Sequence, residues 1–192
     1  MKPEIEVKAF IFNPSMLQQD LDELGLRMTQ SRTLFKRQTF EIKCIHPDIA
    51  RGRVRQEGEN LVTMTIKRVI NSSVSGTLES ELVVANFEEA CSFLEAAGLV
   101  RKSYQENYRT TWKNGDMMVT LDEWPGLTHY LEIEGPTEAK VYAYAHGFRW
   151  SAHWDDLVIG TPADMYLKAL GIPKDVIWNL PEITFANPPK AP

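Results

Sequence analysis

Cysteine is scarce in this chain. Its 192 residues hold two, Cys44 and Cys91, without a Cys-x-x-Cys pair, which excludes a disulfide framework and a thiolate metal cage. A reducing, cytoplasmic setting is the expectation. Basic blocks are also missing. Lys and Arg number 21 against 26 Asp and Glu, for a net charge of −5, so a nucleic-acid backbone is not an expected partner. No apolar run approaches the ~20 residues that a membrane helix needs. A charged strand pattern begins by residue 4, which is read as leaving no room for a signal peptide. His46, His129, His146 and His153 lack metal-ligand spacing and read as surface or turn residues. Trp112, Trp124, Trp150, Trp154 and Trp178 read as core and rim packing. Gly-x-Ser-x-Gly, the phosphate loop and Gly-x-Gly-x-x-Gly are absent, and no covalent nucleophile is visible.

What is present is alternation. In Glu4-Ile5-Glu6-Val7-Lys8 the strand period of two puts Glu4, Glu6 and Lys8 on one face and Ile5, Val7 and Ala9 on the other. Leu131-Glu132-Ile133-Glu134 repeats the pattern far downstream. Between them, 52–56 places Arg53 and Arg55 on one face, 61–70 places Thr63, Thr65 and Lys67 opposite Met64 and Ile66, and 77–84 sets Glu79 and Glu81 opposite Leu78, Ser80 and Leu82. In 117–123, Thr120 and Asp122 oppose Val119 and Leu121. Segments 4–11, 33–45, 99–112 and 129–135 also read as strands, with turns at 57–60 and 113–116.

Helices are expected in four places. One follows Ser15, with Leu17, Leu21 and Leu24 in a stripe. One runs from Asn86 to Gly98, burying Phe87, Ala90, Phe93, Leu94 and Ala97. One runs from Pro136 to Gly147, and one from Thr161 to Gly171. Residues 148–159 give no clear pattern. The tail from Ile172 carries five of the 11 prolines and is expected to wrap irregularly. No βαβ alternation appears, so the fold class is α+β: about eight antiparallel strands closed into a barrel, helices outside. One domain, 1–192, is expected, with its core at about 1–147 and residues 148–192 packed on it as a helix and tail.

One Glu-x-Glu-x-Lys strand alone describes a solvated edge. Five strands with the same polar face, in a chain of ordinary 43% apolar content, describe a charged interior, which needs a charged ligand to be tolerable. The inward acids are Glu4, Glu6, Glu79, Glu81, Asp122, Glu132 and Glu134; the inward bases are Lys8, Arg53, Arg55, Lys67 and Arg109. Paired carboxylates suit Mg²⁺ or Mn²⁺, and guanidinium and ammonium groups suit phosphate oxygens. Together they fit a polyphosphate bridged by metal. Seven acids against five bases imply weak triphosphate binding without metal.

These residues resemble the CYTH superfamily, the triphosphate tunnel metalloenzymes, which includes class IV adenylyl cyclases, thiamine triphosphatases and inorganic triphosphatases. The resemblance rests on Glu4-Ile5-Glu6-Val7-Lys8, Gly52-Arg53-Val54-Arg55, Thr65-Ile66-Lys67, Glu79-Ser80-Glu81, Tyr108-Arg109 before Trp112, Leu121-Asp122-Glu123 and Leu131-Glu132-Ile133-Glu134-Gly135. It implies a tunnel of eight antiparallel strands open at both ends. It implies that Glu4, Glu6, Asp122, Glu132 and Glu134 serve Mg²⁺ or Mn²⁺, and that Lys8, Arg53, Arg55, Lys67 and Arg109 hold a triphosphate such as ATP, thiamine triphosphate or tripolyphosphate. Catalysis would rest on Glu6, Glu134, Arg55 and Lys67, with Glu79 and Glu81 lining the tunnel. Asn107 and Tyr108 stand where many relatives carry further bases, and Thr39-Phe40-Glu41 matches only loosely. The implied activity is triphosphate hydrolysis; adenylyl cyclisation and polyphosphate sensing without turnover are the alternatives. A carrier barrel for apolar ligands is disfavoured by the charged faces. No nucleic acid and no membrane are expected as partners, and a monomer or homodimer is expected.

Overall fold

The computed structural model describes residues 1–43, 45–47, 49–149, 151–152 and 157–191. Cys44, Trp150, His153 and Trp154, named above, lie outside the described residues. The strands are β1 (Lys2–Glu4), β2 (Glu6–Phe10), β3 (Arg27–Ile42), β4 (Ala50–Glu57), β5 (Leu61–Val69), β6 (Thr77–Val84), β7 (Leu99–Asn114), β8 (Met117–Glu123), β9 (Tyr130–Glu134) and the short β10 (Glu182–Ile183). The helices are α1 (Leu17–Glu23), α2 (Phe87–Ala96), α3 (Glu138–Gly147), α4 (Pro162–Leu170) and α5 (Lys174–Asn179).

Nine strands form an antiparallel, nearly closed barrel in the order β1-β6-β5-β4-β3-β7-β8-β9-β2. Nine appear instead of eight because the first strand breaks at Ile5. Its two halves then pair at opposite ends of the sheet order: Lys2 faces Glu79 on β6, while Glu6 faces Glu134 and Lys8 faces Glu132 on β9. One continuous chain segment thus bridges the two edges. Beyond the break, Lys8 is bonded through both backbone groups to Val158, N to O at 2.9 Å and O to N at 2.7 Å. Residues after Gly147 therefore cover part of the seam.

The register follows the alternation. Val7, Leu131 and Ile133 are fully buried on the outside of the barrel, packed with Val119, Leu21 of α1 and Val141 of α3. Their neighbours Glu6, Lys8, Glu132 and Glu134 line the interior. A one-residue slip would reverse both faces, and burial of the outer set forbids it. A second outer cluster joins Phe40 and Val54 to Ala90, Cys91 and Leu94 of α2. Asn86 caps α2 by accepting from the Glu89 amide at 3.0 Å. The expected stripe of α2 is rotated, because Cys91 is buried whereas Phe93 is 64% exposed.

Other expectations shift locally. β3 starts at Arg27, six residues before Thr33, and is irregular in its pairing with β7. Ser15 does not cap α1; its hydroxyl donates to Asn13 Oδ1 at 2.8 Å. The tail holds α5 and then β10, which runs parallel to β7. Thr161 caps α4 in a capping box with Asp164, and Gly171 ends it at φ 68°, a left-handed conformation. Met165 and Tyr166 of α4 pack with Trp124, Tyr130 and Phe10. Since Phe10 and Tyr130 share the inward parity of Lys8 and Glu132, the C-terminal segment packs against inward-facing residues of the barrel. No helix among the described residues is long and apolar enough to cross a membrane.

Candidate active site

The barrel encloses a cavity of about 590 Å³. Strand order sorts its charge. The contiguous strands β5, β4, β3 and β7 bring Lys67, Arg51, Arg53, Arg55, Arg37 and Arg109 to it; the contiguous strands β9, β2, β1 and β6 bring Glu132, Glu134, Glu6, Glu4, Glu79 and Glu81. Lys2 of β1 and Lys8 of β2 are the bases within the acidic half. The interior is therefore one basic wall facing one acidic wall, an arrangement no single strand reveals.

Ion pairs stitch the walls where they meet. Lys67 binds Glu4 and lies 2.9 Å from Glu79 Oε2. Lys8 Nζ lies 2.5 Å from Glu6 Oε1 and 3.5 Å from Glu132 Oε2. Arg53 and Arg55 each reach Glu81 at 3.6 Å, and Arg55 Nη2 lies 2.5 Å from Glu57 Oε1. Thr65 Oγ1 donates to Glu81 Oε2 at 2.9 Å. Phe35 packs beneath the guanidinium planes of Arg55 and Arg109, at 5.4 and 5.6 Å.

The acidic wall carries more negative charge than its partners offset. Burial, with Glu132 nearby, pushes the Glu6 carboxyl up to about 8. Burial, with Glu132 and Glu4 nearby, pushes Glu134 up to about 7. Burial works against the Glu132 carboxylate too, but Lys8 and Arg109 hold it well below the ordinary range. Lys8 stays firmly charged: burial opposes its charge, and Glu132 and Glu6 outweigh that. Glu6 and Glu134 thus take up protons readily, because burial disfavours their charge and Glu132 repels it, and a hard divalent cation can offset both. Among the described residues no group of three or more His, Cys, Asp or Glu side chains is already gathered as a metal site. The donor chemistry of Glu4, Glu6, Glu132 and Glu134 fits an ion that takes a few carboxylates and completes its shell from substrate phosphates and water.

Asp122 stands apart from the other named acids. It is fully buried and does not line the cavity. Arg109 donates to it from Nε at 2.9 Å and Nη2 at 2.8 Å, Asn107 from Nδ2 at 2.7 Å, and Thr120 from Oγ1 at 2.9 Å. Both of its oxygens accept hydrogen bonds, and it pairs with Arg109 at 2.8 Å. The other eleven named residues, Glu4, Glu6, Lys8, Arg53, Arg55, Lys67, Glu79, Glu81, Arg109, Glu132 and Glu134, all line the cavity.

The lining also includes Lys2, Arg37 and Arg51, making eight cations against six acids. The sequence-based excess of acids is therefore reversed. Arg51 shares the parity of Arg53 and Arg55 in β4, which starts at Ala50, before the expected 52–56. Gln105, Trp124 and Tyr130 line the cavity too, without any sequence signal that separates them from core residues.

The model of the CYTH domain matches residues 2–146. The chain belongs to the CYTH family. A search of curated proteins finds no match. Among solved structures, a Pyrococcus horikoshii protein is 18% identical at a TM-score of 0.70, covering 84% of this chain and 98% of its own. A proposed adenylate cyclase of Vibrio parahaemolyticus is 14% identical at a TM-score of 0.73, covering 88% and 99%. A proposed adenylyl cyclase of Hippeastrum, described as having a dominant triphosphatase activity, is 16% identical at a TM-score of 0.54, covering 76% and 85%. At these identities the likeness fixes the fold. The matched CYTH region ends within α3, and α4, α5 and β10 lie beyond it.

Proposed function

We propose that this CYTH protein is a divalent-metal-dependent enzyme that binds a triphosphate in its tunnel and hydrolyses it. The observation that carries this reading is the division of the cavity into a basic and an acidic wall. A chain of phosphates presents oxygens along its whole length. One side of it is held by Arg53, Arg55, Lys67 and Arg109, with Lys8 reaching from the other side. Glu4, Glu6, Glu132 and Glu134 would hold Mg²⁺ or Mn²⁺ between the acidic wall and the phosphates. When bound, the metal supplies positive charge to the phosphate oxygens and acidity to a water molecule. The cations keep the phosphate chain extended and offset the charge that grows on the bridging oxygen as the terminal P–O bond breaks. Glu79 and Glu81 hold Lys67, Arg53 and Arg55 in position. Hydrolysis is favoured over cyclisation because the charges grip the phosphate chain alone, and the triphosphatase activity of the Hippeastrum protein is in keeping with that.

Product identification tests the proposal. The protein is incubated with Mg²⁺ or Mn²⁺ and, separately, with ATP, thiamine triphosphate and inorganic tripolyphosphate. Phosphate release from tripolyphosphate, with cyclic AMP absent or minor, is expected. Cyclic AMP and pyrophosphate formed from ATP, without phosphate release, would instead establish a cyclase. Binding without turnover of any of the three would establish a sensor.

A further inference from the structure

Arg37 stands out among the cations of the basic wall. It lies in β3 directly opposite Arg55 of β4, and Thr39 lies opposite Arg53. Like charges directly opposite on paired strands repel, and here both side chains point into a barrel. Arg55 has Glu57 and Glu81 for relief, Arg53 has Glu81, and Arg109 has Asp122 and Glu132. Among the described residues no carboxylate lies within ion-pair distance of Arg37. Its Nη2 donates to Asn107 Oδ1, a neutral acceptor, and its Nε has no acceptor. The side chain is 5% exposed, lines the cavity and rests on the Trp124 ring, 4.6 Å from the centroid.

We propose that Arg37 is a phosphate-binding residue, completing with Arg53, Arg55 and Arg109 a four-guanidinium anion subsite in the tunnel. This rests on the triphosphate reading of the same cavity and adds a residue that reading does not use. A buried guanidinium facing other guanidiniums is costly unless an anion of more than one charge sits among them. A phosphoryl group has that charge, and its oxygens match the free Nε and the fork geometry. Burial and the neighbouring Arg53, Arg55 and Arg109 push the Arg37 guanidinium well below its ordinary range, the same mismatch in another form. Asn107 is the positioning residue: its Oδ1 accepts from Arg37 and its Nδ2 donates to Asp122, so Arg37 and Arg109 are set by one rigid link. The subsite works without metal, because its charge comes from the protein alone.

The test is calorimetric titration of inorganic tripolyphosphate into the full chain in a chelator, alongside thermal unfolding without phosphate. Wild-type protein is expected to bind. Arg37→Met is expected to bind about 10-fold to 100-fold more weakly, while melting at the same temperature as wild type or higher, since an uncompensated buried charge is gone. Arg37→Lys keeps charge but loses the fork, and is expected to fall between them. An Arg37 that served only to pack on Trp124 and Asn107 would show the opposite: lower melting temperature and unchanged binding. That result overturns the proposal. Wild-type binding with Arg37→Met unchanged sinks this inference alone; failure of wild type to bind with and without Mg²⁺ sinks the triphosphate reading beneath it.

Discussion

Glu6 and Glu134 face one another across β2 and β9 as direct partners in the antiparallel ladder. Both carboxyls stand above their ordinary 4.5, at about 8 and about 7. Each therefore binds its proton more tightly in the folded chain than in the unfolded one. The stability they lend is complete below about pH 4.5 and is lost as pH rises towards 7 and 8. Glu132, held low, acts with the opposite sign but only below the ordinary carboxylate range, outside this window. In chelator, the melting temperature should fall from pH 5 to pH 8. Mg²⁺ should restore more at pH 8 than at pH 5, because it competes with protons for the same oxygens. Glu6→Gln should flatten the fall; a flat profile in the unaltered chain would count against these shifts.

Turnover should divide the two walls. Glu6→Gln and Glu134→Gln remove charge facing the metal, and kcat is expected to drop on the order of 10²-fold or more with phosphate binding largely kept. Arg55→Ala and Lys67→Ala remove phosphate contacts made before and during reaction, so KM should rise as kcat falls. Steady-state kinetics on whichever triphosphate is turned over separates the two patterns. Wild-type turnover in all four variants would place the chemistry elsewhere.

Asp122 should behave as a structural counter-ion. Asp122→Ala leaves Arg109 inside the barrel with only Glu132 at 3.3 Å, and a loss of about 3–5 kcal/mol is expected for breaking a buried pair. Denaturant unfolding measures it. Asp122→Asn keeps part of the hydrogen bonding and should lose less. If Asp122→Ala left stability intact but abolished metal binding, the carboxylate would be a ligand after all.

How far the sequence carried depended on the strand. β6 and β8 were legible to the residue, because Glu79-Ser80-Glu81 and Val119-Thr120-Leu121-Asp122 mark their faces within Thr77–Val84 and Met117–Glu123. The charged faces of β1, β2, β4, β5, β6, β7 and β9 named eleven of the cavity's lining residues. Arg37 was not legible, because β3 does not alternate. Gln38 and Phe40 are buried on one side of it while Phe35 and Arg37 are buried on the other, and its register with β7 shifts between Gln38 and Phe40. Burial on both faces erases the period-two signal. Asp122 shares the inward parity yet does not line the cavity, since parity fixes which way a side chain points and not whether a neighbour covers it. The break at Ile5 left no mark either. Alternation runs straight through it, and only the pairing of each half with a different distant strand divides it.

That break bears on how the protein is made. Residues 2–10 leave the ribosome before every partner they use, and Phe10 must wait for Tyr130. At roughly 5–20 residues per second this lasts about 6–24 s. For that time a future barrel strand has nothing to pair with, the condition under which apolar strands stick to other chains. Glu4, Glu6 and Lys8 are the kind of residues that keep such a strand apart from its copies. The charges set into the tunnel wall are thus suited to an earlier task, as guards of a strand that is synthesised long before its β9 partner.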